Sequence, residues 1–274
     1  MRLSQDQIRA FDERGYLFLP ALFGESEVAR LTDALPGLLA HEGPEVVREK
    51  PDAAAVRLVY GGHVFAEAFG RLVRHPRLLK PVEQLLREPA YIHQTRLNPK
   101  LDFAGGTWSW HQDFGTWHRE DAMPEPRCVM TAVFLDAATA ANAPLLVVPG
   151  SQHHGMIDRV SPESGAKGYT VMEIDRPILE GLVAEHGLEA LTGPAGSVAF
   201  MHCNIVHGSA NNITPYRRAI FYANYNAVSN AAAGDKRAWH HCNRDTTPLT
   251  ALADDCLEAL AAKASDPHPS TSSG

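Results

Sequence analysis

GPAGSVAFMHCNIVHGSANNITPYRR, residues 193–218, opens on a turn and then runs apolar from Ser197 to Phe200 before a pair of histidines. Glycine and proline punctuation around a short apolar run predicts a strand over 197–207. His202 and His207 lie five apart, so a regular strand turns them to opposite faces and only one enters a pocket. His207 is the one expected there. Gly208 follows it, which permits close approach of a ligand or a chain reversal, and a polar run begins at that point. His202 reads as a core or rim histidine. Further out, the turn-like Asn211-Asn212-Ile213-Thr214-Pro215 leads to Arg218, which starts the next strand and runs back past His207.

The same texture recurs from residue 90 onward. Short apolar or alternating segments fall at 90–98, 107–113, 129–136, 145–149, 197–207 and 218–228, separated by Gly, Pro and Asn. Such a series predicts an antiparallel barrel or sandwich, mainly β, instead of a parallel α/β sheet. Helices come first. Residues 4–14 read as a helix capped by Ser4, 15–20 as a strand closed by Pro20, and 25–39 as an amphipathic helix with Pro36 near its end. Residues 41–55 are polar, broken by Pro44 and Pro51, and read as a surface loop. Helical spacing returns over 64–73, 76–86 and 177–186, the last inside an otherwise mixed region, 155–192. Residues 265–274 are rich in Ser and Pro and read as a mobile tail, leaving 1–264 as one domain without internal repeats.

A second histidine cluster closes the segment 107–113. His111 and Asp113 flank Gln112, and residues two apart in a strand point to one face, so imidazole and carboxylate can converge on one ion. His-x-Asp alone is a weak signal; joined to His207 it becomes a two-histidine, one-carboxylate set. Such a set leaves adjacent positions open on an octahedral ion, as non-haem Fe(II) needs when it binds both a keto acid and O2. A zinc hydrolase can use similar ligands, but the chain has no His-Glu-x-x-His helix. His118-Arg119-Glu120 is a rival triplet that follows the strand and reads as a solvated charged turn. A keto acid also needs a cation for its distal carboxylate, and Arg218 is the candidate, since a guanidinium can bind a carboxylate bidentately. On 90–98 and just beyond, Gln94, Arg96, Asn98 and Lys100 share one parity, forming either an exposed polar edge or the wall of a polar pocket.

Composition narrows the partners. Over 274 residues the net charge is −7, and 45% of residues are hydrophobic against 21% charged. An acidic balance without a Lys/Arg run argues against nucleic acid or an anionic membrane as the main partner and leaves a small-molecule substrate. No apolar stretch has the length of a secretory signal core or a membrane span. Cys128, Cys203, Cys242 and Cys256 form no Cys-x-x-Cys pair and read as free thiols in a reducing cytoplasm. Whether the chain pairs as a homodimer stays open.

Four runs carry a resemblance: HQTRLNPK (93–100), WHQDFGTWHREDAMP (110–124), PLLVVPGS (144–151) and the stretch 193–218. The chain resembles the phytanoyl-CoA dioxygenase superfamily, and within it ectoine hydroxylases and free L-proline 4-hydroxylases. The resemblance implies a double-stranded β-helix, or jelly roll, with the N-terminal helices packed on one sheet. It implies iron ligands at His111, Asp113 and His207, and 2-oxoglutarate contacts at Lys100, Ser209 and Arg218. It also implies a substrate wall at Gln94, Arg96, Thr116 and Trp117. His202 falls where ectoine hydroxylases tend to carry an aspartate, which supports its rejection as a ligand. Asp113 is retained, which counts against halogenation, since related halogenases put a small residue there. One departure stands out. Ectoine hydroxylases share an asparagine two positions after the anchoring arginine, where this chain has Ile220. The missing amide would leave polar substrate atoms unpaired at a cost of about 1–3 kcal/mol, which counts against ectoine itself.

The activity implied is Fe(II)/2-oxoglutarate-dependent hydroxylation, with O2, of a small free amino or imino acid resembling proline. Ectoine 5-hydroxylation is the alternative with the same chemistry, and a non-catalytic jelly-roll binding protein is the alternative of another class.

Overall fold

Apolar side chains on both faces of the longest strands decide the architecture. The structure is a computed structural model that describes residues 1–50, 54–162 and 172–260. Helix α1 (Gln5–Arg14) is closed at one end by a capping box between Ser4 and Gln7 and at the other by Gly15 at φ 75°. Strand β1 (Tyr16–Leu19) follows. Then come α2 (Glu25–Asp33) and α3 (Leu35–Leu39), which divide the single helix expected over 25–39. Pro36 lacks the amide that would continue α2, and the chain breaks at Ala34.

A hairpin of β2 (Val46–Arg48) and β3 (Val56–Tyr60) occupies part of the segment expected to be a surface loop. Three of its charged residues, Glu45, Glu49 and Arg57, are buried. Arg57, 3% exposed, pairs with Glu49 at 3.0 Å and is stacked on Trp108, so the hairpin is held by a buried ion pair that a hydropathy reading does not register. Helices α4 (Gly62–Phe65), α5 (Glu67–Leu72) and α6 (Pro76–Leu86) lead into β4 (Ala90–Asn98) and β5 (Trp108–His111). Helix α7 (Asp113–Asp121), β6 (Cys128–Phe134) and β7 (Leu145–Val148) come next, then a 3-10 turn, Ser151–His154. The chain continues through β8 (Val160–Pro162), β9 (Met172–Ile174), α8 (Arg176–His186), β10 (Glu189–Leu191), β11 (Val198–His202), β12 (Val206–Ser209) and β13 (Ile220–Ala227).

The strands form a seven-stranded antiparallel sheet in the order β1-β11-β6-β13-β4-β3-β2 and a four-stranded sheet in the order β10-β7-β12-β5, with β8-β9 apart. This is the expected mainly-β arrangement with helices. Side-chain alternation divides the large sheet into two faces. Leu97, Val129, Val133, Phe200 and Phe221 meet the N-terminal helices through Leu31, Leu35, Phe69, Leu78 and Leu79, while Met130, Ala132, Phe134, Met201 and Ile220 turn toward the small sheet. Both faces are buried, so the strands read as near-continuous apolar runs. The Phe69 and Phe221 rings, 4.4 Å apart, tie helix to sheet. Truncating such core aromatics costs about 3–5 kcal/mol.

Two expectations need correction. The strand expected over 197–207 is two strands in different sheets, β11 in the large one and β12 in the small one, joined by a turn closed from the Ile205 amide to the His202 carbonyl. The strand expected over 107–113 stops at His111. Asp113 instead begins α7, and the triplet at 118–120 lies in the last turns of that helix, not in a loop. The tail at 265–274 and the end of the expected domain lie outside the described residues.

Candidate metal centre

β5 and β12 are neighbours in the small sheet, and their antiparallel register sets His111 directly across from His207. Directly opposed residues hold their Cβ atoms about 5 Å apart. The sheet alone therefore places the two imidazoles side by side, with ring centroids 4.2 Å apart at 49°. Asp113 joins them because Gln112 is still extended (φ −117°, ψ 129°) before the helix begins, so the two-residue spacing keeps His111 and Asp113 on one side. His111 Nε2 stands 3.5 Å from Asp113 Oδ1. One donor atom from each of His111, Asp113 and His207 lies within 4.8 Å of the other two, and all three residues are buried.

Gln112 points the other way and locks the corner. Its Nε2 donates to the carbonyls of Gly155 (2.9 Å) and Asn204 (2.7 Å), and its Oε1 accepts from the Ile157 amide (2.9 Å). Gly208 has a local role beside His207. A Cβ there would sit 2.9 Å from the Trp108 carbonyl oxygen, so glycine lets β12 close onto β5.

Hydrogen bonding prepares both histidines to be ligands. Nδ1 of His111 lies 2.6 Å from the Ser109 carbonyl, and Nδ1 of His207 lies 3.0 Å from the Ile205 carbonyl. A carbonyl accepts only, so each Nδ1 carries the proton and each Nε2 presents a lone pair to the site. Burial, and after it the neighbouring His111 ring, pushes His207 down to about 3, so it is neutral. Burial alone would push the Asp113 carboxyl up. The Arg96 guanidinium, and after it the two imidazoles, outweigh burial and hold Asp113 well below the usual carboxylate range. Arg96 pairs with both carboxylate oxygens, Nη1 with Oδ1 at 3.2 Å and Nη2 with Oδ2 at shorter range. Two imidazole nitrogen donors and one ionised carboxylate fit a ferrous ion.

A pocket of about 370 Å3, part of it open to solvent, begins at His111 and His207 and is lined further by Arg96, Asn98, Ser209 and Tyr222. Behind it two buried basic side chains stand together. Lys100 is 2% exposed and Arg218 is fully buried, and the Arg218 amide donates to the Lys100 carbonyl at 3.2 Å. Nε of Arg218 donates to the Ala143 carbonyl at 3.0 Å, but neither Nη1 nor Nη2 makes a hydrogen bond of good geometry, although the Tyr222 hydroxyl lies beside the guanidinium. Lys100 Nζ donates to the Gly106 carbonyl at 2.6 Å. Burial, followed by Arg218 and Arg57, pushes the Lys100 amine down to about 6. A buried guanidinium and a buried amine, neither hydrogen-bonded to a carboxylate, suit an incoming dianion.

The residues expected at the substrate side are more dispersed. Arg96 borders the cavity, and its Nε is buried without a partner. Gln94, from the same strand, gives its Nε2 to the His241 carbonyl at 2.8 Å, and its Oε1 lies 3.5 Å from Asn224 Nδ2. Thr116 and Trp117 sit one turn along α7 from Asp113; the Trp117 ring is buried, edge-on to His93 at 5.2 Å. His202 lies away from the centre, where its Nδ1 accepts from the Asn204 amide at 3.1 Å.

Sequence reasoning missed Tyr222 and Tyr60. Tyr222 shares the parity of Arg218 on β13, a signal that was present. Tyr60 pairs with Arg96 across β3 and β4, and no local pattern announces that. It also missed a strap, residues 234–245, that crosses this end of the sheet. Arg237 binds both oxygens of Asp121 (2.7 and 2.5 Å), the His241 ring stands edge-on to Tyr60 at 4.5 Å, and Asn243 Nδ2 donates to the Ile92 carbonyl at 2.7 Å. Buried His93, Asp121 and Cys242 form a second donor cluster, but Arg237 and His93 already saturate the carboxylate, so the cluster ties the strap to α7.

The chain also has relatives among known proteins. The profile of the family described as phytanoyl-CoA dioxygenase (PhyH) matches residues 11–220. The chain is 37% identical over 252 residues to an L-proline trans-4-hydroxylase of Streptomyces griseoviridis, covering 89% of this chain and 94% of the relative. It is 37% identical over 238 residues to an ectoine dioxygenase of Bordetella parapertussis, covering 83% and 77%. Among solved structures, EctD of S. alaskensis with 2-oxoglutarate and 5-hydroxyectoine superposes with a TM-score of 0.81 at 35% identity, covering 91% of this chain and 87% of that one.

Proposed function

The chain belongs to the phytanoyl-CoA dioxygenase (PhyH) family, and we propose that it hydroxylates a small free amino or imino acid resembling proline. It is an Fe(II)/2-oxoglutarate-dependent dioxygenase with a jelly-roll core. His111, Asp113 and His207 are the proposed iron ligands. The observation that carries this assignment is the convergence of two Nε2 lone pairs and one ionised carboxylate from two paired strands and a helix start. When bound, the iron supplies the oxidising chemistry, coupling hydroxylation by O2 to decarboxylation of 2-oxoglutarate to succinate and CO2.

The protein's own residues bind and orient. Arg218, with its two unpartnered nitrogens, takes the far carboxylate of 2-oxoglutarate; Lys100 and the Ser209 hydroxyl assist. Gln94, Arg96, Thr116 and Trp117 form the substrate wall in this proposal, and the free Nε of Arg96 is the donor left over for a substrate acceptor. Their burial excludes water, which strengthens each polar contact in the site. Residues 1–264 acting as a single domain, a cytoplasmic location, and a chain working alone or as a homodimer complete the proposal. No helix among the described residues is long and apolar enough to cross a membrane.

Relatives named for proline and for ectoine match equally well, so the substrate is decided by experiment. Ile220 is fully buried in the core between the sheets and offers no amide, which favours the proline-like reading. Mass spectrometry of a panel containing proline, pipecolate, ectoine and linear amino acids should show one added oxygen on a cyclic imino acid. Faster turnover of ectoine than of every imino acid would reverse the order.

Lys100 sets a pH signature. Its folded-state pKa of about 6 lies below the unfolded value of 10.5, so between those limits the unfolded chain holds more protons and stability rises with pH. A dianion beside Lys100 favours its charged form. Binding of 2-oxoglutarate above about pH 6 should therefore take up a proton, seen by calorimetry as a heat that varies with the buffer's ionisation enthalpy. Lys100→Met should remove that dependence; a wild-type heat independent of buffer would show that Lys100 does not face the dianion.

A further inference from the structure

Away from the cavity, the 3-10 turn after β7 meets the C-terminal end of α8. His154 ends the turn, and Glu185 and His186 end the helix. Their donor atoms converge. Nε2 of His154 lies 2.9 Å from Nε2 of His186, His154 Nε2 lies 3.8 Å from Glu185 Oε2, and His186 Nε2 lies 3.5 Å from Glu185 Oε1. Ligands about 2.0–2.1 Å from a tetrahedral ion stand roughly 3.3 Å from one another; the two imidazole nitrogens are close to that spacing, one carboxylate oxygen faces each ring, and one donor atom from each residue lies within 4.8 Å of the other two. The His186 ring is already seated: its Nδ1 lies 3.1 Å from where a side chain on Gly150 would begin, so the ring rests against bare backbone.

We infer that His154, Glu185 and His186 form a second metal site, taking a zinc-class divalent ion with water in the fourth position. Two imidazoles among three donors favour such an ion over Mg2+ or Ca2+, which prefer all-oxygen shells. His154 and Glu185 are 39% and 61% exposed, which leaves the fourth position open to solvent. The ion clamps the turn to α8, and that turn buttresses the catalytic strands. Ser151, which opens the turn, accepts from the Val206 amide at 2.9 Å and donates to the Val148 carbonyl at 2.6 Å. Gly155, which follows it, accepts from Gln112. The clamped segment is therefore one hydrogen bond from the neighbours of His111, Asp113 and His207. This goes beyond the proposed hydroxylase activity and does not rest on it.

The test is zinc stoichiometry of the metal-free full chain by equilibrium dialysis and elemental analysis. The wild type should bind two ions per chain. His154→Ala and Glu185→Gln should each weaken one of them at least roughly tenfold, and both should hydroxylate normally when given iron alone. His207→Ala should lose the other ion and keep this one. Co2+ should report the same division: the strong visible absorption of a four-coordinate ion should persist in His207→Ala and vanish in His154→Ala. A wild type binding one ion, or a His154→Ala/His186→Ala chain still binding two, overturns the inference and leaves a hydrogen bond between two imidazoles. A His207→Ala chain that still binds two ions would instead remove His207 from the iron-site assignment and leave this second site standing.

Discussion

Asp113→Ala should abolish hydroxylation, lowering succinate release by more than about a thousand-fold, equivalent to roughly 4 kcal/mol of barrier. The variant loses the only anionic donor among the three candidate ligands, and Nε2 of the two histidines alone presents a weaker set. The same substitution strands Arg96. Its guanidinium binds both Asp113 oxygens in a site where the two side chains are 13% and 7% exposed, and removing one partner of a buried pair costs about 3–5 kcal/mol. The melting temperature should therefore fall along with activity. Pairing Asp113→Ala with Arg96→Met should recover most of the stability and none of the turnover, which separates coordination from ion pairing. An Asp113→Ala enzyme whose turnover stays within about tenfold of the parent would remove Asp113 from the ligand set.

Arg218→Met should raise the KM for 2-oxoglutarate by between about thirty-fold and several thousand-fold, the range given by a loss of about 2–5 kcal/mol for one member of a buried charge pair. The substrate KM should change little. Stability should move the other way. Burial pushes the Arg218 guanidinium below its ordinary value, and its terminal nitrogens make no hydrogen bond of good geometry although the Tyr222 hydroxyl lies beside them, so it is a desolvated cation held for a ligand. Methionine fills similar volume without that cost, and the ligand-free variant should melt at or above the wild-type temperature. Added 2-oxoglutarate should stabilise the wild type and leave Arg218→Met unmoved. Unchanged cosubstrate affinity in the variant would show that another cation anchors the far carboxylate.

Much of this was legible in the sequence, for reasons that differ residue by residue. β4 and the choice of His207 over His202 could be anticipated because Gly and Pro punctuation marks strand ends and glycine follows the second histidine. The role of Gln112 could not, because its partners at Gly155, Ile157 and Asn204 are remote in the chain. The parity argument for His111 and Asp113 worked although its premise failed: one extended residue, Gln112, did what a continued strand was expected to do. The single strand expected over 197–207 failed because Cys203 to Ile205 carry the chain from one sheet to the other, and an apolar run looks the same on either side of such a crossing. The β2–β3 hairpin was hidden by its charges, which are paired inside. Arg96 was expected to line the substrate pocket and does border the cavity, but its grip on Asp113 joins residues seventeen apart through tertiary structure alone.

The position of β13 bears on how this polypeptide reaches its native state. It is the last strand among the described residues, yet it lies in the middle of the large sheet, between β6 and β4. Until residue 227 has left the ribosome, the sheet exists only as two halves, β1-β11-β6 and β4-β3-β2, each with an open, apolar edge that invites pairing with another nascent chain. Closure is then a late, long-range event that zips both halves at once. Fragments ending before β13 should aggregate, not fold, and synthesis in cells should depend on holdase chaperones more than the modest size of the chain would suggest.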